Sequence, residues 1–469
     1  MDYSMLGKQF IGGEWREGKS GKTLSDINPY NDEVITAFQI ASVADIDDAY
    51  QAAYKAKLEW DKVNPYHKRD ILEKAVTYIE ANEEEITSII VRELGGTRLK
   101  AAFEIGLVKN MIKEAATFPL RMEGKILPST EDGKENRLYR TPVGVVGVIS
   151  PFNFPFFLSM KSVAPALGAG NGVVLKPHED SPITGGTLIG KIFEEAGIPK
   201  GLLNVVVTDI KEIGDAFVEH PIPRIISFTG STKVGSHIGQ LAVKNFKKPL
   251  LELGGNSAFI ILEDADIDYA VQAATFSRFT HQGQICMSAN RILVQKSIYQ
   301  EFTDKYKEKV STLTTGDPSD PQTIIGPVIN NRQAETLQNL IAKGIEQGAV
   351  PLVQGKITGR MVEPTVLVNV KPDMVVAQEE LFGPVVCIMP FETEEEAIEI
   401  ANDTRFGLSG AIHTSNLERG VEIAKKVHTG MIHVNDITIN DEPIVAFGGE
   451  KQSGLGRLNG EWSWMNLRR

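Results

Sequence analysis

Short apolar, β-branched runs alternate with amphipathic stretches of helical spacing through most of this chain. Residues 143–149, 172–175, 203–207 and 224–228 read as strands, with helices expected over 184–196, 211–219 and 232–243 among them. Strands that are continuous apolar runs are buried on both faces, which is the mark of a parallel sheet covered by helices. The alternation resumes with strands over 257–262, 291–295, 385–390, 408–413 and 430–435, and helices over 299–313 and 332–347. Asp266 stands where an N-cap would precede Ile267, Ala270, Val271 and Ala274, and Thr393-Glu394-Glu395-Glu396 has the spacing of a capping box. The expected fold class is therefore α/β, with two parallel-sheet units of similar size meeting near Gly254-Gly255. Residues 119–141 break the pattern. They are polar, carry Gly124, Pro128 and Gly133, and read as a hairpin excursion.

A chain of 469 residues with 42% hydrophobic and 23% charged residues has the composition of a multidomain globular protein. The net charge of −12 has no basic block to offset it, which argues against nucleic acid or an anionic membrane as the main partner. Two cysteines are too few for a disulfide framework or a Cys-rich metal site, no HExxH occurs, and no metal is expected. The first residues lack a basic segment followed by an apolar core, and no apolar stretch reaches membrane length, so a cytoplasmic location is expected.

Two glycine-rich runs are decoys. Gly168-Ala169-Gly170-Asn171-Gly172 precedes a strand instead of following one, and reads as a helix end and turn. Gly454-Leu455-Gly456 fails on spacing. Gly230-Ser231-Thr232-Lys233-Val234-Gly235 is better placed, after an apolar run and at the start of a helix. It is not followed by Lys-Ser/Thr and is no Walker loop. Its backbone N–H groups at a helix N-terminus nevertheless suit a pyrophosphate, beside the alternative of a plain tight turn.

Cys286 lies in His281-Gln282-Gly283-Gln284-Ile285-Cys286-Met287-Ser288, whose flanks are polar, whereas Cys387 sits inside an apolar run. Cys286 is thus the candidate nucleophile and Cys387 a core residue. Glu252 is a carboxylate inside an apolar strand, either a candidate base or a salt-bridged core residue. Asn153, in Pro151-Phe152-Asn153-Phe154-Pro155, offers a neutral amide donor for an oxyanion, or an Asx-turn.

Together these residues resemble one family. Pro151-Phe-Asn-Phe-Pro155, Leu175-Lys-Pro-His-Glu179, Phe228-Thr-Gly-Ser-Thr232, Leu251-Glu-Leu-Gly-Gly255, Gly283-Gln-Ile-Cys286, Glu380-Leu-Phe-Gly-Pro384 and Phe447-Gly-Gly449 are similar, in order, to the signatures of the aldehyde dehydrogenase superfamily. The resemblance covers nearly the whole chain. It implies a Rossmann-like cofactor domain over 1–118 and 142–254, a catalytic domain over 255–440, and a bridging and oligomerisation element over 119–141 and 455–469 with a shortened C-terminal part. It implies Cys286 as nucleophile, Asn153 with the Cys286 N–H as oxyanion hole, and Glu252 as general base. Lys176 and Glu179 would hold the adenosine ribose, Gly230 and Ser231 the pyrophosphate, and Glu380 the nicotinamide ribose, with Phe382 near the ring. A carboxylate at Glu179 implies NAD over NADP, with NADP a weaker alternative.

The stretches around Cys286 and over 434–443 look like the benzaldehyde and vanillin dehydrogenase branch. By position in the family, Phe154, Leu158, Ile285, Met287 and Phe447 would line a tunnel suited to a flat aryl ring. Ala446 and Glu450, unusual for the family, leave the wall beside Phe447 open to loosening. The implied partners are a small aldehyde and further copies of the chain, as homodimer or homotetramer. Competing readings are an aliphatic or semialdehyde dehydrogenase, a CoA-acylating dehydrogenase that would do without Glu252, a cysteine hydrolase using His281, and a non-catalytic binding protein.

Overall fold

The computed structural model describes residues 3–469. Five parallel strands form the heart of the first sheet. Val145–Ile149 lies in the middle, Gly172–Lys176 and then Leu203–Val205 to one side, Ile225–Thr229 and then Lys248–Glu252 to the other. Strand order therefore reverses between Val145–Ile149 and Ile225–Thr229. In open α/β sheets that crevice, at the carboxyl ends of the strands, is where ligands bind. Antiparallel strands close both edges: Gln9–Ile11 with Glu14–Arg16, and at the far side Gly454–Leu455 against Glu252 and Leu251.

The second sheet runs Val350–Val353, Thr365–Val368, Val385–Phe391, Ala289–Gln295, Ser257–Ile261, Gly410–His413, His433–Val434, parallel in every pairing but the first. The apolar runs thus form two sheets, in agreement with the α/β expectation. The helix Pro155–Gly168 is buried along its whole length and packs on Arg98–Ala115. It starts with proline at its first position, where no N–H is needed, and the buried Glu104 carboxylate accepts the Phe157 N–H at 3.1 Å. Glu104 is itself paired with the buried Lys100.

Several boundaries differ from the sequence reading. The helix expected over 211–219 is two short ones, Ile210–Ile213 and Ala216–Glu219, parted by Gly214 at φ +51°. The strand expected over 430–435 shrinks to His433–Val434 at the sheet edge. The capping box is half-formed: Thr393 accepts the Glu396 N–H at 3.3 Å, but the Glu396 carboxylate takes the N–H of Glu392 rather than of Thr393. The hairpin within 119–141 is Lys125–Pro128 with Glu135–Leu138, exposed at every position. Beyond Leu455 the chain forms the helix Gly460–Asn466, and Arg469 then pairs with Thr141 through N–H to carbonyl bonds of 2.8 and 2.9 Å. Among the described residues no helix is long and apolar enough to cross a membrane.

Candidate active site

The strand ends of the first sheet deliver the polar residues singled out above. Asn153 follows Val145–Ile149, Lys176 ends the next strand, Gly230 and Ser231 follow Ile225–Thr229, and Glu252 is the last residue of its strand. Cys286 comes from the second unit, between helix Ile267–Phe279 and strand Ala289–Gln295. Three consecutive residues before it, His281, Gln282 and Gly283, have φ of 50°, 55° and 71°. Left-handed backbone at non-glycine residues is costly and persists only where the surroundings fix it. Here Gln282 donates to the carbonyls of Gly95 and Pro327, both at 2.8 Å, and Gln284 accepts the Ile329 N–H at 3.0 Å. At Gly283 an added Cβ would stand 2.2 Å from the Gly383 carbonyl oxygen, so only glycine fits. The flanks of Cys286 are polar, as the sequence shows, but they are buried and serve to pin the loop.

Asn153 donates one amide N–H to the Gln284 carbonyl at 3.0 Å, which ties it to the nucleophile loop and leaves its second N–H available. Asn153 and Cys286 share a cavity with Phe154, Leu158, Ile285, Met287 and Phe447, all five of the substrate-side residues expected from sequence. Phe103, Leu107, Phe157, Ile439 and Asp441 also line it and were not anticipated. Phe103 meets Phe154 edge-on, with ring centroids 6.3 Å apart. Phe447 stays buried. Glu450 turns to solvent and pairs with Arg457, whose guanidinium also donates to the Gly449 and Gly456 carbonyls at 3.0 and 2.9 Å. That clasp replaces the loosening expected at this wall.

The electrostatics favour neutral resting groups. Burial pushes the Cys286 thiol well above its usual range, with Glu380 and Glu252 adding to the shift and Lys161 opposing it. Burial pushes Glu252 up to about 8, again against Lys161, and one of its oxygens has no hydrogen-bond partner. His281 is buried, held far below its usual value by burial and by Lys100, and packs edge-on to Phe154 at 5.4 Å. A neutral imidazole in that setting lends no support to a thiolate–imidazolium pair. Cys387 is buried with its thiol on the Val376 carbonyl at 3.3 Å, and burial raises it to about 12.

The residues expected to hold the nucleotide lie on strand ends and loops of both units. Lys176 pairs with Glu179 at 3.1 Å. Burial raises the Glu179 carboxyl, but Lys176 and His178 outweigh it and hold the group below its usual range. Ser231 caps helix Thr232–Lys244, whose first turn carries no acidic residue. Glu380 accepts the Gly255 N–H at 3.0 Å, and a Cβ at Gly254 would stand 2.6 Å from its carboxylate. Phe382 meets Phe152 edge-on at 5.8 Å. The supporting residues went unread in the sequence. Buried Arg278 donates to the Leu381 and Gly383 carbonyls, Asn290 takes the Leu381 N–H at 3.1 Å, and Gln333 donates to the Phe382 carbonyl at 2.7 Å. The Ser231-capped N-terminus of helix Thr232–Lys244 stands at the reversal of strand order, and the Glu179 carboxylate follows strand Gly172–Lys176 two places along the sheet, an arrangement that fits a dinucleotide.

A cavity that joins a thiol to an amide donor thus stands in a chain whose first sheet reverses its strand order. The chain belongs to the aldehyde dehydrogenase family: the family model matches residues 15–469. It is 73% identical over 461 residues to benzaldehyde dehydrogenase YfmT of Bacillus subtilis, covering 98% of this chain and 95% of that one. It is 48% identical over 472 residues to a vanillin dehydrogenase of Corynebacterium glutamicum, covering 98% of each. Among solved structures, the NAD-dependent benzaldehyde dehydrogenase of Corynebacterium glutamicum superposes with a TM-score of 0.92 at 45% identity, over 99% of this chain and 95% of that one.

Proposed function

We propose that this protein oxidises an aromatic aldehyde to its carboxylic acid with NAD⁺, using Cys286 as nucleophile. The observation that carries the reading is the shared cavity: a thiol and an amide donor at one place, walled by four phenylalanines, Leu107, Leu158, Ile285, Met287 and Ile439. Apolar and aromatic walls suit an aryl ring. The likeness to benzaldehyde and vanillin dehydrogenases supports the same substrate class.

The Cys286 thiol gives up its proton to solvent water, its sulfur attacks the carbonyl carbon, and the carbonyl oxygen becomes an oxyanion. The second amide N–H of Asn153 and the backbone N–H of Cys286 hold that charge, which exists only after attack. The nicotinamide, when bound, supplies the acceptor for the hydride that this adduct expels. A thioester remains on Cys286. Glu252 then takes a proton from water, the resulting hydroxide adds to the thioester, and the acid leaves as the thiol is restored. A carboxylate pushed up to about 8 is a poor base in acid and an effective one in mild alkali.

Lys176 and Glu179 would hold the adenosine ribose of the cofactor, Gly230 and Ser231 its pyrophosphate, and Glu380 the nicotinamide ribose, with Phe382 near the ring. Glu179 accepts from a ribose 2′-OH and repels a 2′-phosphate, so NAD⁺ is preferred over NADP⁺. The carboxylate at 252 favours hydrolysis of the thioester over transfer to CoA. The domain reading keeps 1–118 with 142–254 around the dinucleotide, 255–440 around Cys286, and 119–141 with 455–469 as the oligomer contact. The exposed Ile126, Leu127 and Leu138 of the hairpin, with Tyr139 just beyond it, support a homodimer or homotetramer, and a cytoplasmic location belongs to the same proposal. An NADH-coupled panel tests the substrate reading. Benzaldehyde and vanillin should exceed hexanal in kcat/KM, and hexanal ahead of both would reject it.

A further inference from the structure

A buried ion pair stands at the wall of a cavity whose lining, apart from Asn153 and Cys286, is otherwise apolar, and no step above uses it. Lys161, in the helix that follows Asn153, donates to Asp441 at 2.5 Å, and the two side chains are 1% and 2% exposed. The second Asp441 oxygen takes the Asn459 amide N–H at 2.7 Å. Asp441 lines the cavity, and the Lys161 ammonium lies 3.3 Å from the Phe447 ring centroid. Such a pair is a weak source of stability, because removing both charges from water costs about what their attraction returns. An apolar pair of the same volume would hold an unsubstituted ring at least as well.

We propose that Asp441, held by Lys161, is a specificity-determining residue that accepts a hydrogen bond from a hydroxyl on the substrate's aryl ring. The inference rests on the aromatic-aldehyde reading above. An ionised carboxylate is acceptor-only, and each oxygen keeps a second lone pair after its present bond. A ring O–H satisfies that lone pair. A methyl group at the same ring position covers it with nothing, and a carboxylate-bearing aldehyde meets like charge. A hydrogen bond to a charged group predicts a preference on the order of tenfold to a hundredfold for hydroxyl over methyl. Lys161, with Asn459, fixes the rotamer of Asp441.

The test compares 2-, 3- and 4-hydroxybenzaldehyde with the matching methylbenzaldehydes, at a pH where the phenol is neutral and NAD⁺ is saturating. The readout is the hydroxyl-to-methyl ratio of kcat/KM within each enzyme, so general losses of activity cancel. Removing one partner alone would strand a buried charge, so the main variant is Lys161→Met with Asp441→Leu, and Lys161→Met with Asp441→Asn is the companion that keeps a neutral acceptor. At one ring position the parent enzyme should favour hydroxyl about tenfold or more, the Met/Leu double variant should fall to near unity, and the Met/Asn double variant should lie between. Should turnover of a variant be too slow, calorimetric Kd values for the hydroxybenzyl and methylbenzyl alcohols give the same ratio. Ratios equal in parent and Met/Leu double variant at every position would overturn the inference, as would a parent with no hydroxyl preference. A pH profile displaced equally for both substrate series, with the ratio intact, would assign the pair to tuning Glu252 and also overturn it. If the parent oxidises hexanal but no aryl aldehyde, the underlying substrate reading fails instead.

Discussion

The two sides of Cys286 are built differently. On the nucleotide side, the residues stand at strand ends and on the loops beside them, and the sheet topology sets their positions: Lys176, Ser231 and Glu252 each terminate or follow a parallel strand. On the substrate side, the wall is assembled from side chains of separate segments: Phe103 and Leu107 from helix Arg98–Ala115, Phe157 and Leu158 from Pro155–Gly168, and Ile439, Asp441 and Phe447 from near the chain's end. On the proposed reading, backbone geometry fixes where a common cofactor lies, and side-chain identity at scattered positions fixes which aldehyde enters. Substitutions on the first side should therefore act on all substrates alike, and those on the second should reorder them.

The largest break in that comparison is at the junction itself. Cys286→Ala should lower NAD⁺-dependent benzaldehyde oxidation by about 10⁴-fold or more, as removal of a nucleophile does elsewhere. Cys387→Ala, the same chemical change in the second sheet, should stay within about twofold in kcat while lowering Tm by a few degrees. Next comes Glu252→Gln. It should leave the first turnover intact, giving a burst of NADH stoichiometric with sites, while the steady-state rate falls about 10²- to 10⁴-fold. In the parent enzyme the hydrolysis-limited rate should climb with pH and level off near 8, because the raised carboxyl must lose its proton to act. The Gln variant should lack that rise. Asn153→Ala should cost about 10²- to 10³-fold in kcat on every aldehyde, measured by stopped flow. The smallest effect is at Glu179. Its change to Ala should shift the NADP⁺-to-NAD⁺ ratio of kcat/KM about tenfold toward NADP⁺, with no reordering of aldehydes.

The same division governs what was legible in the sequence. Cys286, Asn153 and Glu252 each broke a local rule: a cysteine among polar residues, an amide between prolines, a carboxylate in an apolar strand. Residues that break local rules announce themselves. Phe103 and Leu107 obey theirs, four apart on a helix face, and look like any core pair until the helix is docked. Lys161 and Asp441 are 280 residues apart, and nothing local says that they meet. The left-handed turn at His281-Gln282 was hidden for a different reason. It is imposed by bonds to Gly95 and Pro327, against the preference of the residues themselves. The parallel sheets were legible because continuous apolar runs have few other uses, whereas the short antiparallel edges depended on partners far along the chain.

The account turns on a covalent bond between Cys286 and the carbonyl carbon. Glu252→Gln enzyme, mixed with benzaldehyde and NAD⁺, quenched in acid and digested, should carry one benzoyl group on the peptide containing Cys286, in an amount equal to the NADH burst. A full burst with no acyl group on that peptide, or with the label on Cys387, would contradict it.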